Sequence, residues 1–394
     1  MSLPQSGDYK EAVQRPDLCF ADPDLQHTEP GRDVRGLPLI WSGNFAVVFK
    51  LVSNHQTWAV KCFTRTVANL QNRYAEIDKY LKAHSLPYFV PFEYQPRGIR
   101  IRGDWFPIVK MQWIEGQSLK EFLNERLNEP PDIRNETLQN LMYLCWHLAK
   151  HLEQCQIAHG DLQHGNMLFC REGNVTKLKL VDYDGMYVPS LHALLPEELG
   201  HPNYQHPQRG PGTYGLTMDR FAHLVIFTTL WCLKDLPQPR LLWDRYTDDE
   251  RLLFSRHDFV APAHSSLFQQ LWKECSSKGQ CLVGHLLLAA QAPPEQTPLL
   301  TTLVSPEKNK DFSVSSLTDT QRSRIQTILG KGSPQPSPPL PPIPPEQFPP
   351  PSLGRLPPRR LPDDHDSAFG VSSGQSLDVS SWLSYSSGGT LPNS

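Results

Sequence analysis

The chain has 394 residues and a formal net charge of -3. That length allows a two-lobed core with an appendage, and that charge gives no drive toward nucleic acid or an anionic membrane, so neither is expected as a partner. The eight cysteines (Cys19, Cys62, Cys145, Cys155, Cys170, Cys232, Cys275, Cys281) are scattered without a Cys-x-x-Cys pair. This excludes a disulfide framework or a cysteine zinc site and fits reduced thiols in a cytoplasmic protein.

Residues 1–35 are polar and rich in Pro and Asp, and are expected to be an irregular lead-in packed against the neighbouring segment. The first eight residues show neither a basic patch nor an apolar h-region, so no secretory leader is expected. From Leu37 to Trp113, short runs rich in Val, Ile, Phe and Trp alternate with turns, which predicts a small antiparallel sheet. Within it, Leu70 to His84 is amphipathic and reads as a helix. Arg97, Arg100 and Arg102 alternate along a strand-like segment as one solvated face. Beyond Trp113 the pattern is mostly helical. Leu138, Leu141, Met142, Leu144, Cys145, Leu148 and Leu152 share one helical face, Leu267 to Trp272 mark a second helix and Leu282 to Ala290 a last one. The most apolar runs are too short to span a bilayer.

Between these helices lies the most informative stretch. Ala158-His159-Gly160-Asp161-Leu162-Gln163-His164-Gly165-Asn166 is followed by Val181-Asp182-Tyr183-Asp184-Gly185. One Asp, an Asn five residues on and a second Asp sixteen residues further stand at the ends of strand-like runs. Phosphoryl transfer from a nucleotide needs one carboxylate at the acceptor hydroxyl, and a carboxylate with a carboxamide to hold magnesium on the phosphates. Asp184 before Gly185 reads first as a turn former. His159, His164, His201 and His206 lack zinc-ligand spacing, and His159 reads as a packed residue bonding loop backbone.

The loop resembles the catalytic loop of the protein kinase superfamily, with Gly160 where most members carry Arg. The HGDLQHGN and VDYDG strings are similar to those of a bacterial serine/threonine kinase-like branch. Upstream, Ser42-Gly43-Asn44-Phe45-Ala46-Val47-Val48 resembles a shortened glycine-rich loop with Trp41 and Ala46 at the outer glycine positions. Trp58-Ala59-Val60-Lys61 resembles the third strand. The stretch from Trp105 to Gly116 resembles the hinge, with Met111 as gatekeeper. Gly200 to Gln208 resembles the end of an activation segment, and Asp219-Arg220-Phe221 the start of the long central helix. The resemblance spans roughly Gly36 to Ala292.

The resemblance implies an α+β, two-lobed kinase-like fold: an antiparallel-sheet N-lobe at 36–113 and a mostly helical C-lobe at 114–295. It implies ATP and Mg2+ as cofactors and a protein substrate bearing Ser or Thr. Lys61 would hold the α- and β-phosphates, oriented by Glu76, with Asp78 a less favoured partner. Asp161 would orient the hydroxyl, and Asn166 and Asp182 would bind the metal. Gly43, Phe45, Ala46, Val48, Ala59 and Met111 would surround the nucleotide, and the backbone from Gln112 to Ile114 would bond adenine. Two other readings stay open: a small-molecule kinase, since such a loop also occurs in aminoglycoside and sugar kinase relatives, and a non-catalytic nucleotide-binding scaffold.

Residues 296–332 read as a polar connector with one short helical pattern, Thr318 to Leu329. Residues 333–394 are dominated by Pro, Ser and Gly and are expected to be a disordered tail. Its dense prolines lack the amide donor and favour polyproline II. Pro338-Pro339-Leu340-Pro341 would suit a domain that binds Pro-rich motifs, or would simply belong to a tether.

Overall fold

The computed structural model describes residues 3–43, 45–173, 175–196, 198–307 and 311–330. The tail expected at 333–394 lies outside the described residues. These residues form two compact units that divide after Glu115.

The first unit opens with three short helices, α1 (Ser6–Ala12), α2 (Pro16–Cys19) and α3 (Pro23–Gln26), where an irregular lead-in was expected. Helices this short show no periodicity in sequence and are held by their ends. Gln5 and Asp8 form a capping box on α1, Pro16 and Pro23 start the next two, and Asp22 accepts from Asp24 N–H at 2.8 Å. Six strands come next: β1 (Glu29–Pro30), β2 (Ile40–Ser42), β3 (Ala46–Val52), β4 (Thr57–Phe63), β5 (Phe92–Ile101) and β6 (Asp104–Gln112). They make one antiparallel sheet in the order β1-β3-β4-β6-β5, with β2 also on β3.

Register decides the faces, because successive side chains alternate. Val47, Phe49, Leu51, Val60, Cys62 and Ile108 fill one face and pack with Tyr9, Val13, Cys19, Phe20 and Leu25 of the leading helices. The lead-in is therefore half of a core. Phe20 bridges to Ile99, Tyr9 donates to Phe63 O at 2.7 Å, and buried Lys110 pairs with Asp22 and Asp24 at 2.8 Å each. Trp41, Val48 and Lys61 lie in line on the other face, as do Lys50, Ala59 and Met111. The helix α4 (Leu70–His84) places Tyr74 against Phe63, Phe92 and Tyr94. The arginines Arg97, Arg100 and Arg102 are exposed, as their alternation predicts.

The second unit contains α5 (Leu119–Arg126), α6 (Pro131–Gln154), α7 (Arg220–Asp235), α8 (Pro239–Tyr246), α9 (Arg256–Val260), α10 (Ser266–Glu274), α11 (Ser277–Ala290), α12 (Leu300–Leu303) and α13 (Asp319–Gly330). The apolar stripe from Leu138 to Leu152 lies on α6, and α7 is apolar nearly all round and buried to match. A three-stranded sheet, β7 (Gly116–Ser118), β8 (Met167–Glu172) and β9 (Val175–Leu180), carries the loops that matter for function. The connector at 296–330 is more structured than its composition suggests. It includes a small hairpin, β10 (Val304–Pro306) and β11 (Phe312–Val314), and buries Leu300, Val304, Phe312, Leu317 and Ile325. Trp146 Nε1 donates to Val304 O at 2.8 Å. No helix among the described residues is long and apolar enough to cross a membrane.

Candidate active site

The hairpin β8–β9 explains how distant residues meet in the second unit. Asn166 immediately precedes β8, Met167 pairs with Leu180, and Val181 N–H donates to Asn166 O at 3.1 Å. Asp182 is the next residue. The peptide before this hairpin is fixed from below. Asp219, just ahead of α7, accepts from the backbone N–H of His159 and, at 2.9 Å, from that of Gly160. His159 is fully buried, and its Nε2–H donates to Val181 O at 3.0 Å, the packing role expected of it.

Asp161 is held on both oxygens. Oδ1 accepts from His201 N–H at 2.6 Å; Oδ2 accepts from Asn166 Nδ2 at 2.9 Å and Gln163 Nε2 at 3.1 Å. Three donors on two oxygens hold this carboxylate in a fixed orientation. Asn166 also donates through Nδ2 to Asp161 O at 2.8 Å, which turns its Oδ1 away from Asp161.

Asp182 adopts φ 69°, a left-handed conformation that Asp tolerates better than most residues with a side chain because its short carboxylate can bond local backbone. Carboxylate oxygens of Asp182, Asp184 and Glu198 come within 4.8 Å of one another. Asp184, read first as a turn former, thus stands in a cluster that could hold a metal ion, and Glu198 joins a group to which no motif assigned it. All three donors are oxygens, the chemistry that suits magnesium and disfavours softer metals.

The segment from Asp182 to Gln208 is tied to the loop along its length. Ala158 and Tyr187 exchange backbone hydrogen bonds at 3.1 and 2.8 Å. Gly160 has φ 84°, and a Cβ there would overlap the Gly185 carbonyl. The missing arginine is thus a steric necessity: no side chain fits between these two glycines. Tyr204 Oη and His164 Nδ1 share a hydrogen bond at 2.6 Å, and the same oxygen accepts from Leu252 N–H at 3.1 Å. Burial, with His201 nearby, pushes the His164 pKa down to about 4. His201 accepts from Asn203 N–H on Nδ1 at 3.2 Å, so its Nε2–H donates to Glu250 at 2.7 Å.

In the first unit, Lys61 lies between Val48 and Val109 in the sheet, on the face that also carries Ala59 and Met111. Glu76 is half-buried on α4. Gly43 N–H donates to Ala46 O at 2.9 Å, closing a tight turn between β2 and β3 that includes Phe45; Asn44 lies outside the described residues. Trp113 N–H is committed to Thr57 O at 2.9 Å, which takes it out of the hinge donors, while Gln112 ends β6 and Ile114 comes just after it. Trp41 packs against Trp113 with ring centroids 4.9 Å apart, and Lys50 lies 5.0 Å over the Trp113 ring.

Sequence reasoning brought together Asp161, Asn166 and Asp182. It missed Glu198, Gln205, Arg209 and Asp219 as parts of the same assembly. Only the Asp219 position carried a signal, as the polar residue opening an apolar helix.

No protein-family profile matches the chain, and no curated protein matches it. Among solved structures, it is similar to the kinase domain of Mycobacterium tuberculosis PknI. Identity is 13% and the TM-score 0.36, over 55% of this chain and 77% of that one.

Proposed function

We propose that this protein is a kinase, transferring the γ-phosphoryl group of ATP to a Ser or Thr hydroxyl of a protein in the cytoplasm. The observation that carries the reading is the Asp161 carboxylate, anchored through three donors beside Asn166, with Asp182 adjacent through the β8–β9 hairpin. Asp161 orients the acceptor hydroxyl and receives its proton. Lys61, oriented by Glu76, pairs with the α- and β-phosphates. Val48, Ala59 and Met111 face the base, Gln112 and Ile114 offer backbone groups to it, and Gly43, Phe45 and Ala46 form the turn over the phosphates. Asn166 and Asp182 would hold magnesium, which would supply neutralising charge to the phosphate oxygens. Catalysis by this set is positioning and charge stabilisation.

The Pro-rich tail would recruit a domain that binds such motifs. A second reading, a non-catalytic scaffold, draws on Trp41, which fills a position that a glycine-rich loop keeps open. One experiment separates the two. Wild-type protein should show a thermal upshift with ATP and magnesium and should label a generic protein acceptor from γ-labelled ATP. Asp182→Asn should lose metal-dependent transfer. A wild type with no shift and no transfer refutes the kinase reading, and transfer to small molecules alone refutes the protein acceptor.

A further inference from the structure

We propose that Arg209 is a positioning residue for Asp161, taking over in three dimensions the place of the arginine that Gly160 lacks. This rests on the phosphotransfer reading above. Arg209 lies far from the loop in sequence but closes a ring of hydrogen bonds around the Gly160 peptide, the unit that precedes Asp161. Gly160 O accepts from Gln205 Nε2 at 3.3 Å, and Gln205 Oε1 accepts from Arg209 Nη1 at 2.8 Å. Arg209 Nη1 also reaches Met218 O at 3.3 Å, and its Nη2 contacts Met218 Sδ at 3.4 Å. Met218 adjoins Asp219, whose Oδ1 accepts from Gly160 N–H at 2.9 Å and completes the circuit.

Every link has a physical reason. Gly160 must lack a side chain because of its φ and the Gly185 carbonyl, so the loop cannot supply its own cation. Gly200 must also be small, since a Cβ there would come within 2.5 Å of Gly160 O and 2.7 Å of Gln205 Nε2. Burial works against the guanidinium charge, and the carboxylates of Asp219, Asp161 and Glu198 act in its favour. Its Nε is buried without an acceptor among the described residues, so the charge is held by the surrounding field and by Nη1 and Nη2 rather than by a direct ion pair. A buried cation so arranged is costly, and a residue serving only to fill space would be better apolar. What an arginine supplies is a planar fork that binds two acceptors at once and a charge between the acidic groups. The segment that ends at Arg209 therefore orders the loop without a phosphate.

The test compares Arg209→Met, Arg209→Lys and Gln205→Leu in the full chain, with turnover normalised to the fraction that binds magnesium-ATP. Arg209→Met should lower kcat at least tenfold with KM for ATP within threefold of wild type. Arg209→Lys, which keeps the charge and one contact, should recover part of that loss. Gln205→Leu, which cuts the ring but leaves the cation, should lower kcat in the same direction and serves if Arg209→Met does not fold. Wild-type kcat in Arg209→Met or in Gln205→Leu, or no recovery in Arg209→Lys, overturns the proposal. If wild-type protein itself transfers no phosphate, the kinase reading falls, and the ring is judged by hydrogen exchange. The His159 and Gly160 amides should then exchange at least tenfold faster in Arg209→Met, and unchanged exchange overturns the ring.

Discussion

Replacing Gly160 with alanine should cost far more than a surface glycine substitution. The residue stands at φ 84°, where a Cβ carries about 1–2 kcal/mol of backbone strain. The new Cβ also overlaps the Gly185 carbonyl, so the two chain segments must separate. Separation strains the Ala158–Tyr187 bridge, whose two backbone hydrogen bonds are worth about 1 kcal/mol each. The sum is roughly 3–4 kcal/mol. Urea unfolding of Gly160→Ala followed by intrinsic fluorescence should show the transition of the second unit at least about 1 M lower, given slopes of roughly 1–3 kcal/mol/M. Gly160→Arg, which restores the residue most kinases carry, should be at least as damaging and should transfer phosphate more slowly than wild type. A midpoint for Gly160→Ala within about 0.3 M of wild type would refute the reasoning, because it would mean the two glycines need not touch.

Removing residues 1–28 should unfold the first unit, since Tyr9, Val13, Phe20 and Leu25 are buried at 0–1% exposure and contribute roughly 1.5–3 kcal/mol each; a soluble truncated chain with a wild-type melting curve would contradict this. Stability should fall as pH drops from about 6.5 toward 4. His147, His164 and His223 are held neutral by burial with pKa values of about 4, so the unfolded state binds more protons across that window. Each contributes at most about 3 kcal/mol above it, and a flat denaturation midpoint from pH 7 to 4.5 would be the opposite result. Phosphatase treatment and Ser190→Ala should leave the initial transfer rate unchanged, because Ser190 is exposed and is the only Ser or Thr from Asp182 to Gln208; a matched fall in both preparations would show that phosphate at Ser190 is read by a basic group.

What could be read from the sequence was local. The helix from Leu70 to His84 coincides with α4 because its apolar spacing and its ends are encoded within one short window. Asp161, Asn166 and Asp182 were legible because their spacing is set by a single hairpin. Glu198 and Arg209 were not, since each joins the assembly through a segment whose path depends on glycine contacts at Gly160, Gly185 and Gly200. The lead-in looked irregular because four- to seven-residue helices are specified by caps and by the face they cover, and that face belongs to strands well beyond them in the chain. The connector looked polar because its buried residues, such as Leu303, Phe312 and Ile325, are too widely spaced to form a pattern.

The indoles of Trp41 and Trp113, 4.9 Å apart and inclined at 46°, have a spectroscopic consequence. Two identical chromophores this close and this far from coplanar share their excited states, and the pair should give a signed doublet in circular dichroism that neither ring gives alone. Trp41 lies in register with Val48, on the face where Lys61 also stands. A planar ligand that packed on Trp41 and turned its ring would change the angle on which the doublet depends. The doublet, lost in Trp41→Phe or Trp113→Phe, would therefore report occupancy of that face without a label and without turnover.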